Sequence, residues 1–219
     1  MIECTRLAFS FGGRTILSNL ELTVSDGERI VVMGRSGAGK TTLLRLLAGL
    51  VAPSEGSIRV GGELASVARR IRMAPSRRDI GFVFQAGALW PHMTVAQNVL
   101  YGLADLPRPE ARRRMTEALD ACKVAELALR LPQQLSGGEQ RRVGLARAIA
   151  PHPRHLLMDE PLTNLDSDLR SELLQLVCEI VRSHDTALVY VTHDEAEARA
   201  VGGRQMRLEN GRLVAEGSA

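Results

Sequence analysis

Aromatic residues are scarce, at 3% of the chain, with one Trp, two Tyr and four Phe. That excludes a binder of RNA or single strands built on stacked aromatic platforms. Cysteines are few and far apart (Cys4, Cys122, Cys178), with no Cys-x-x-Cys pair and no His at ligand spacing. Neither a disulfide framework nor a zinc site is expected, and free thiols in a reducing compartment fit best. No apolar run approaches the ~20 residues that a membrane span requires. Met1–Ser10 also lacks the charged-then-apolar layout of a secretion signal. The expectation is a soluble, cytoplasmic protein whose membrane role, if it has one, comes through a partner. Internal repeats and low-complexity stretches are absent too, which sets aside solenoids and disordered tails. Neither charge sign dominates: the net charge is +3. Arginines cluster at Arg69–Arg72, Arg77–Arg78, Arg112–Arg114 and Arg141–Arg142, but acids lie close to most of them. They read as solvated surface, and no nucleic-acid partner is expected.

What is present is an ordinary globular composition, 45% hydrophobic and 24% charged over 219 residues, enough for one substantial core. Four short apolar runs, Arg29–Met33, Ile80–Phe84, His155–Met158 and Ala187–Val191, predict buried strands of a parallel sheet. The opening segment to Val24 alternates instead, as in Leu20, Glu21, Leu22, Thr23, Val24, and predicts an antiparallel sheet with one wet face. Helices are predicted over Lys40–Leu50 and Asp168–Ser183. From Val95 to Ala150 the pattern is mostly helical, broken at Pro107–Pro109 and Leu131–Gly138. A strand-poor insertion in an α/β frame reads as a helical subdomain.

The strongest local signal is Gly34, Arg35, Ser36, Gly37, Ala38, Gly39, Lys40, Thr41, Thr42, which matches the phosphate-loop pattern GxxxxGK[ST]. It has the context that the pattern requires, an apolar strand before and a helix after. The glycines let consecutive backbone N–H groups curl round a polyphosphate, and the helix turns its positive end toward the same anion. Lys40 is placed to reach the β- and γ-phosphates, and the Thr41 hydroxyl to bind Mg²⁺.

A second cluster, His155 to Pro161, is a buried strand that ends in Asp159 and Glu160. Carboxylates at the C-terminal end of a parallel strand lie where ligands collect, beside the phosphate loop. Asp159 is expected to hold Mg²⁺ through water, and Glu160 to act on the water that attacks the γ-phosphate. Whether Glu160 serves as a base or as a positioning group stays open, because a loose transition state does not need early proton removal. Gln85 and His193 close two further strands and are aimed at the same edge.

Leu135, Ser136, Gly137, Gly138, Glu139, Gln140 resembles the signature motif of ABC ATPases, in its LSGGEQ form. The resemblance covers essentially the whole chain, with its motifs in the family's order. It implies that Phe11 is the aromatic residue stacking on adenine, where most members carry Tyr. It makes Gly34–Thr42 Walker A, Met158–Glu160 the end of Walker B, and Ser136–Gln140 the signature. Gln85 resembles the Q-loop residue, a catalytic and metal candidate. Asn164, Leu165 and Asp166 resemble the D-loop, and His193 the switch histidine. The implied fold is a single nucleotide-binding domain over residues 1–219. Its P-loop core (1–85 and 151–219) has a mixed central sheet and an N-terminal antiparallel β-subdomain, with a helical subdomain inserted at 86–150.

The implied mechanism is ATP hydrolysis with Mg²⁺ between two such domains, a second copy or a homologous subunit, paired head to tail. Each signature then closes the other's ATP, and its two glycines at a helix start form a further anion site. Ala88, Leu89, Trp90, Pro91, Met93 and Val95 are expected to line a groove for a transmembrane permease, with Trp90 as anchor. The segments Phe84–Val95 and Met158–Asp166 are similar to importer ATPases, which implies import, with a solute-binding protein as a further partner. Localisation on the inner face of the membrane, through the permease, follows from the same resemblance. Many such importers carry a long C-terminal regulatory domain. This chain stops at Ala219, so substrate sensing through such a tail is not expected. The competing reading is a soluble ABC ATPase in cofactor assembly. A GTPase is disfavoured because no Asn-Lys-x-Asp motif occurs.

Overall fold

A computed structural model describes residues 1–85, 87–183 and 185–215. Ala86, where the expected helical subdomain begins, lies outside the described residues, as do residues 216–219. The chain opens with β1 (Ile2–Phe11), β2 (Arg14–Val24), β3 (Arg29–Met33) and α1 (Lys40–Ala48). Three short strands follow, β4 (Glu55–Val60), β5 (Glu63–Val67) and β6 (Arg70–Ile71), and then β7 (Ile80–Val83). The middle holds α2 (Val95–Tyr101), α3 (Arg108–Ala121) and α4 (Gly137–Ile149). The last part runs β8 (His155–Asp159), α5 (Ser167–Ser183), β9 (Ala187–Thr192), α6 (Glu195–Val201), β10 (Arg204–Glu209) and β11 (Arg212–Ala215).

The strands form two sheets. One is antiparallel, in the order β2-β1-β4-β5-β6. The other is mixed, in the order β11-β10-β3-β9-β8-β7, with only the β10–β11 pair antiparallel. Leu20, Leu22 and Val24 are buried while Glu21 and Thr23 face out, as the alternation predicts. In the mixed sheet both faces are covered. Val31, Met33, Leu156, Met158, Leu188 and Tyr190 join the core beneath the helices of the middle and last parts. Ile30, Val32, Leu157, Val189 and Val191 point the other way, toward α1 and the antiparallel sheet. The period-two alternation thus divides one set of apolar runs between two cores.

The ends of several elements differ from expectation. The strand predicted to reach Phe84 stops at Val83, and that predicted to end at Met158 includes Asp159. The first helix ends at Ala48, because Gly49 takes a left-handed conformation and its N–H caps Arg45 and Leu46. Part of the arginine reading also needs correction. Arg78 is fully buried and donates to the carbonyls of Leu46, Leu47, Ala65 and Met73 and to the Ser66 hydroxyl. Two of those carbonyls belong to the last turn of α1, where a cation is favoured by the helix dipole. Arg142 is buried as well, ion-paired with Glu172 at 2.8 Å. Arg113 and Arg114, by contrast, form the expected surface ion pairs, with Glu110 and, for Arg113, Glu117. All three cysteines are free and buried, and burial pushes the Cys4 and Cys122 thiols up to about 12. Among the described residues no helix is long and apolar enough to cross a membrane.

Candidate functional site

Three neighbouring strands of the mixed sheet, β3, β9 and β8, deliver their C-terminal ends to one edge. Met33 pairs with Thr192, and Asp159 with Val191, so the chain leaves all three at the same level. The acid-bearing strand is therefore not adjacent to β3 but one strand away, with β9 and its His193 between them. What brings the acids to the loop is α1, which leaves β3 and packs against β8.

The loop between β3 and α1 needs its glycines. Gly39 stands at φ 105°, and a Cβ there would lie 2.9 Å from the Ile16 side chain. At Gly34 a Cβ would meet the Leu208 carbonyl oxygen at 2.7 Å. Side chains at either position would break the curl or the contact beneath it. Lys40, only 4% exposed, folds its Nζ back to the carbonyls of Gly34 (2.8 Å) and Arg35 (3.1 Å) and to Glu160 Oε1 (3.0 Å). The Thr41 hydroxyl donates to Asp159 Oδ1 at 3.0 Å. His193 Nδ1 lies 3.0 Å from Glu160 Oε2. Lys40, Thr41, Asp159, Glu160 and His193, picked out from three separate stretches of sequence, are in one constellation.

The two acids differ in electrostatics. Burial raises the Asp159 carboxyl above its ordinary range, against the Thr41 hydrogen bond, and the Glu160 charge adds to the rise. Asp159 has no cation within ion-pairing distance among the described residues. For Glu160 burial is the largest single effect and also pushes upward. Lys40, by hydrogen bond and charge, and His193 together outweigh it, so the carboxyl sits below the ordinary range. Glu160 also stands at φ 43°, an uncommon conformation for a side-chain-bearing residue. Its N–H bonds the Val191 carbonyl, and its own carbonyl accepts from the Thr163 hydroxyl. Backbone held in such a region by surrounding bonds is a feature of functional sites.

The other expected residues lie outside this constellation. Phe11 is 75% exposed at the tip of the β1–β2 hairpin. Gln85 follows β7 at the sheet's far edge; its side chain is exposed and makes no hydrogen bond among the described residues. Ser136 caps α4: its hydroxyl accepts from the Glu139 N–H, and the Glu139 carboxylate accepts from the Ser136 N–H. Gly137 is exposed and Gly138 buried. Asp166 accepts from the Leu169 N–H at the start of α5. Trp90 is half-buried, its ring 4.3 Å from that of Tyr101 and 4.9 Å from the Arg147 guanidinium. Val95, expected in the same open groove, is fully buried in the core.

Two arginines that the sequence reading leaves as surface or passes over hold the loops around the site. Arg141 of α4 donates to the carbonyls of Gln85, Pro161 and Thr163. Arg170 of α5 bonds the Leu165 carbonyl and Asp194. Asp194 caps α6, and the carboxylate of buried Glu197 receives the hydroxyls of Tyr190 and Thr192. Their partners are backbone carbonyls and residues distant in sequence, so no local spacing marks them.

A glycine cradle on a strand–loop–helix turn, with lysine, threonine and two acids converging on it, defines a P-loop nucleotide-binding α/β protein. Comparison with known proteins makes the class specific: the chain belongs to the ABC transporter family, whose model matches residues 17–163. It is 42% identical to the Fe(3+) ions import ATP-binding protein FbpC of Escherichia coli (strain K12), over 99% of this chain and 62% of that one. To the sn-glycerol-3-phosphate import ATP-binding protein UgpC 3 of Agrobacterium fabrum it is 43% identical, over 95% of this chain and 58% of the other. The chain thus spans about 60% of the length of these relatives. Its fold matches the dimeric post-hydrolysis structure of the ATP-binding cassette MJ0796 bound to ADP and Pi. There the TM-score is 0.86 and the identity 31%, covering 99% of this chain and 98% of that one.

Proposed function

We propose that the chain is the ATP-binding and ATP-hydrolysing subunit of an importer. Two copies, or one copy and a homologous subunit, pair head to tail around two nucleotides. The observation that carries this reading is the convergence of Lys40, Thr41, Asp159, Glu160 and His193 within about 3 Å contacts at one sheet edge. Residues 34–42 cradle the triphosphate and Phe11 stacks on adenine. Residues 1–85 and 151–219 form the core of a single domain, with 86–150 as its helical subdomain.

The donor set fits a hard cation: the Thr41 hydroxyl and a buried Asp159 carboxylate, 3.0 Å apart, with no protein cation on Asp159 among the described residues. Thr41 and Asp159, with Gln85 as a further candidate, would hold Mg²⁺, which neutralises phosphate charge when bound. Lys40 exchanges its loop carbonyls for phosphate oxygens. Glu160 and His193 position the water whose oxygen bonds to the γ-phosphorus as the bond to the bridging oxygen breaks and ADP leaves, the water's proton passing to an oxygen of the phosphate released. Ser136, Gly137, Gly138 and Glu139 of the partner copy close over the γ-phosphate, and Asp166 meets the partner across the interface.

A permease docks on the surface around residues 88–93, anchored by Trp90, and holds the pair on the inner face of the membrane. A solute-binding protein presents the cargo. Both relatives cited carry import in their names, and they are named for different solutes at nearly equal identity. That supports a reading in which another chain selects the cargo.

The direct test is ATP hydrolysis by the purified chain, with its permease where needed, before and after chelation of Mg²⁺. Turnover that stops on chelation and returns with Mg²⁺ is expected; undiminished turnover contradicts the metal assignment. Gly137→Asp tests the pairing. A Cβ at Gly137 meets nothing within 4 Å, and an acid in the first turn of α4 suits the helix dipole. The variant is expected to fold normally and bind ATP as a monomer. Because its carboxylate repels the partner's γ-phosphate, turnover should fall at least about tenfold. Normal turnover removes the signature from the site.

A further inference from the structure

Arg141 stands four residues into the helix that begins at the signature turn, yet none of its partners lies in that helix. Its Nη1 donates to the carbonyls of Gln85, at 3.2 Å, and Pro161, and its Nη2 to that of Thr163. Gln85 follows β7; Pro161 and Thr163 flank Leu162, just past Glu160 at the end of β8. One side chain therefore joins three segments that sequence keeps far apart, each next to a residue of the hydrolytic site. The guanidinium is partly withdrawn from water and has no carboxylate partner among the described residues. A cation held only by neutral carbonyls gives up hydration without an ion pair in return. A planar guanidinium spreads five donors over three nitrogens, so it can meet carbonyls set farther apart than a single ammonium nitrogen reaches.

The same helix holds the segment after Gln85 a second time. Arg147 donates to the carbonyls of Gly87 (3.1 Å) and Ala88 (2.8 Å), and a Cβ on Gly144 would stand 3.3 Å from the Gly87 carbonyl oxygen. Among the described residues the side-chain hydrogen bonds of Arg147 stay within this segment. Those of Arg141 also reach the turn after Glu160.

Resting on the function proposed above, we infer that Arg141 is a positioning residue for hydrolysis. It ties the signature helix to the Gln85 segment and to the 161–163 turn, so that closure of the signature on a nucleotide draws Gln85 and Glu160 into register. In the monomer the phosphate cradle makes no use of this link. Loss of Arg141 therefore reduces turnover without reducing nucleotide affinity.

The experiment compares Arg141→Met and Arg141→Lys with the unsubstituted protein. It measures kcat and KM for ATP, monomer affinity for a fluorescent ATP analogue, and thermal unfolding. For Arg141→Met, which keeps the length of the side chain, kcat is expected to fall about 10- to 100-fold, the effect of losing one or two charge-assisted hydrogen bonds. Monomer affinity should stay within about twofold. Arg141→Lys should recover part of kcat, since an ammonium reaches some of the carbonyls. Unchanged kcat in Arg141→Met overturns the proposal. So does a fall in kcat matched by equal losses of affinity and thermal stability, which marks a structural role, or a Lys variant no better than Met. Absence of ATP hydrolysis in the unsubstituted protein overturns the functional reading as well, and is told apart by that control alone.

Discussion

Replacing Glu160 with glutamine is expected to lower ATP turnover roughly 1000-fold while leaving ATP binding intact. Glutamine keeps the shape but loses the charge that now faces Lys40 and His193 at 3.0 Å each. The amide can still occupy the pocket at the end of β8, and neither the glycine cradle nor Lys40 is touched, so the nucleotide still binds. On the role proposed for Glu160, what is lost is the anionic oxygen that would orient the attacking water. Removing one negative charge beside the triphosphate also relieves repulsion, so the ATP-bound pair should persist longer than with the unsubstituted protein. Steady-state phosphate release and filter binding on the same preparation check both halves. Turnover within tenfold of normal would contradict the role given to Glu160.

Lys40→Ala should act on the other half of the cycle. Its ammonium, almost wholly buried, is held by two loop carbonyls and one carboxylate. A triphosphate offers that ammonium stronger acceptors than carbonyls do. Losing the charge-assisted bonds should weaken nucleotide affinity about 100-fold. The loss extends to Glu160, because Lys40 is the foremost influence holding that carboxyl below its ordinary range. In the variant the Glu160 carboxyl titrates at a higher pH than in the parent. Affinity within twofold of normal in a filter assay would overturn the phosphate-loop assignment.

The parts of this site that lie in contiguous sequence were legible as such. The glycine spacing of residues 34–42 between an apolar strand and a helix matches the phosphate-loop pattern, and few other uses need that many small residues before Lys-Thr. Asp159 and Glu160 were legible because an apolar run ended on two acids. Strands β3, β8 and β9, buried on both faces, and the edge strand β7 stand out as apolar stretches. By contrast, β10 reads Arg-Gln-Met-Arg-Leu-Glu, with Met206 and Leu208 as its buried residues, and its place beside β3 is set by long-range pairing. The short strands β4 to β6 carry Glu55, Arg59, Glu63 and Arg70 in runs of six residues or fewer, and no sustained apolar run marks them in the sequence. Arg78 and Arg141 looked like surface charge, since their acceptors are backbone carbonyls, and every residue has one. The burial of Val95, in a stretch that otherwise looked like an open groove, follows from its place at the first turn of α2 against the helical core.

The central claim is that ATP is clasped between two copies of this chain. Its most direct test is the molar mass of the Glu160→Gln protein by light scattering, with and without ATP and Mg²⁺. The account predicts a mass near that of one chain, 23.8 kDa, without nucleotide, and near twice that with it. A single-chain mass under both conditions, in a protein shown to bind ATP, would contradict it.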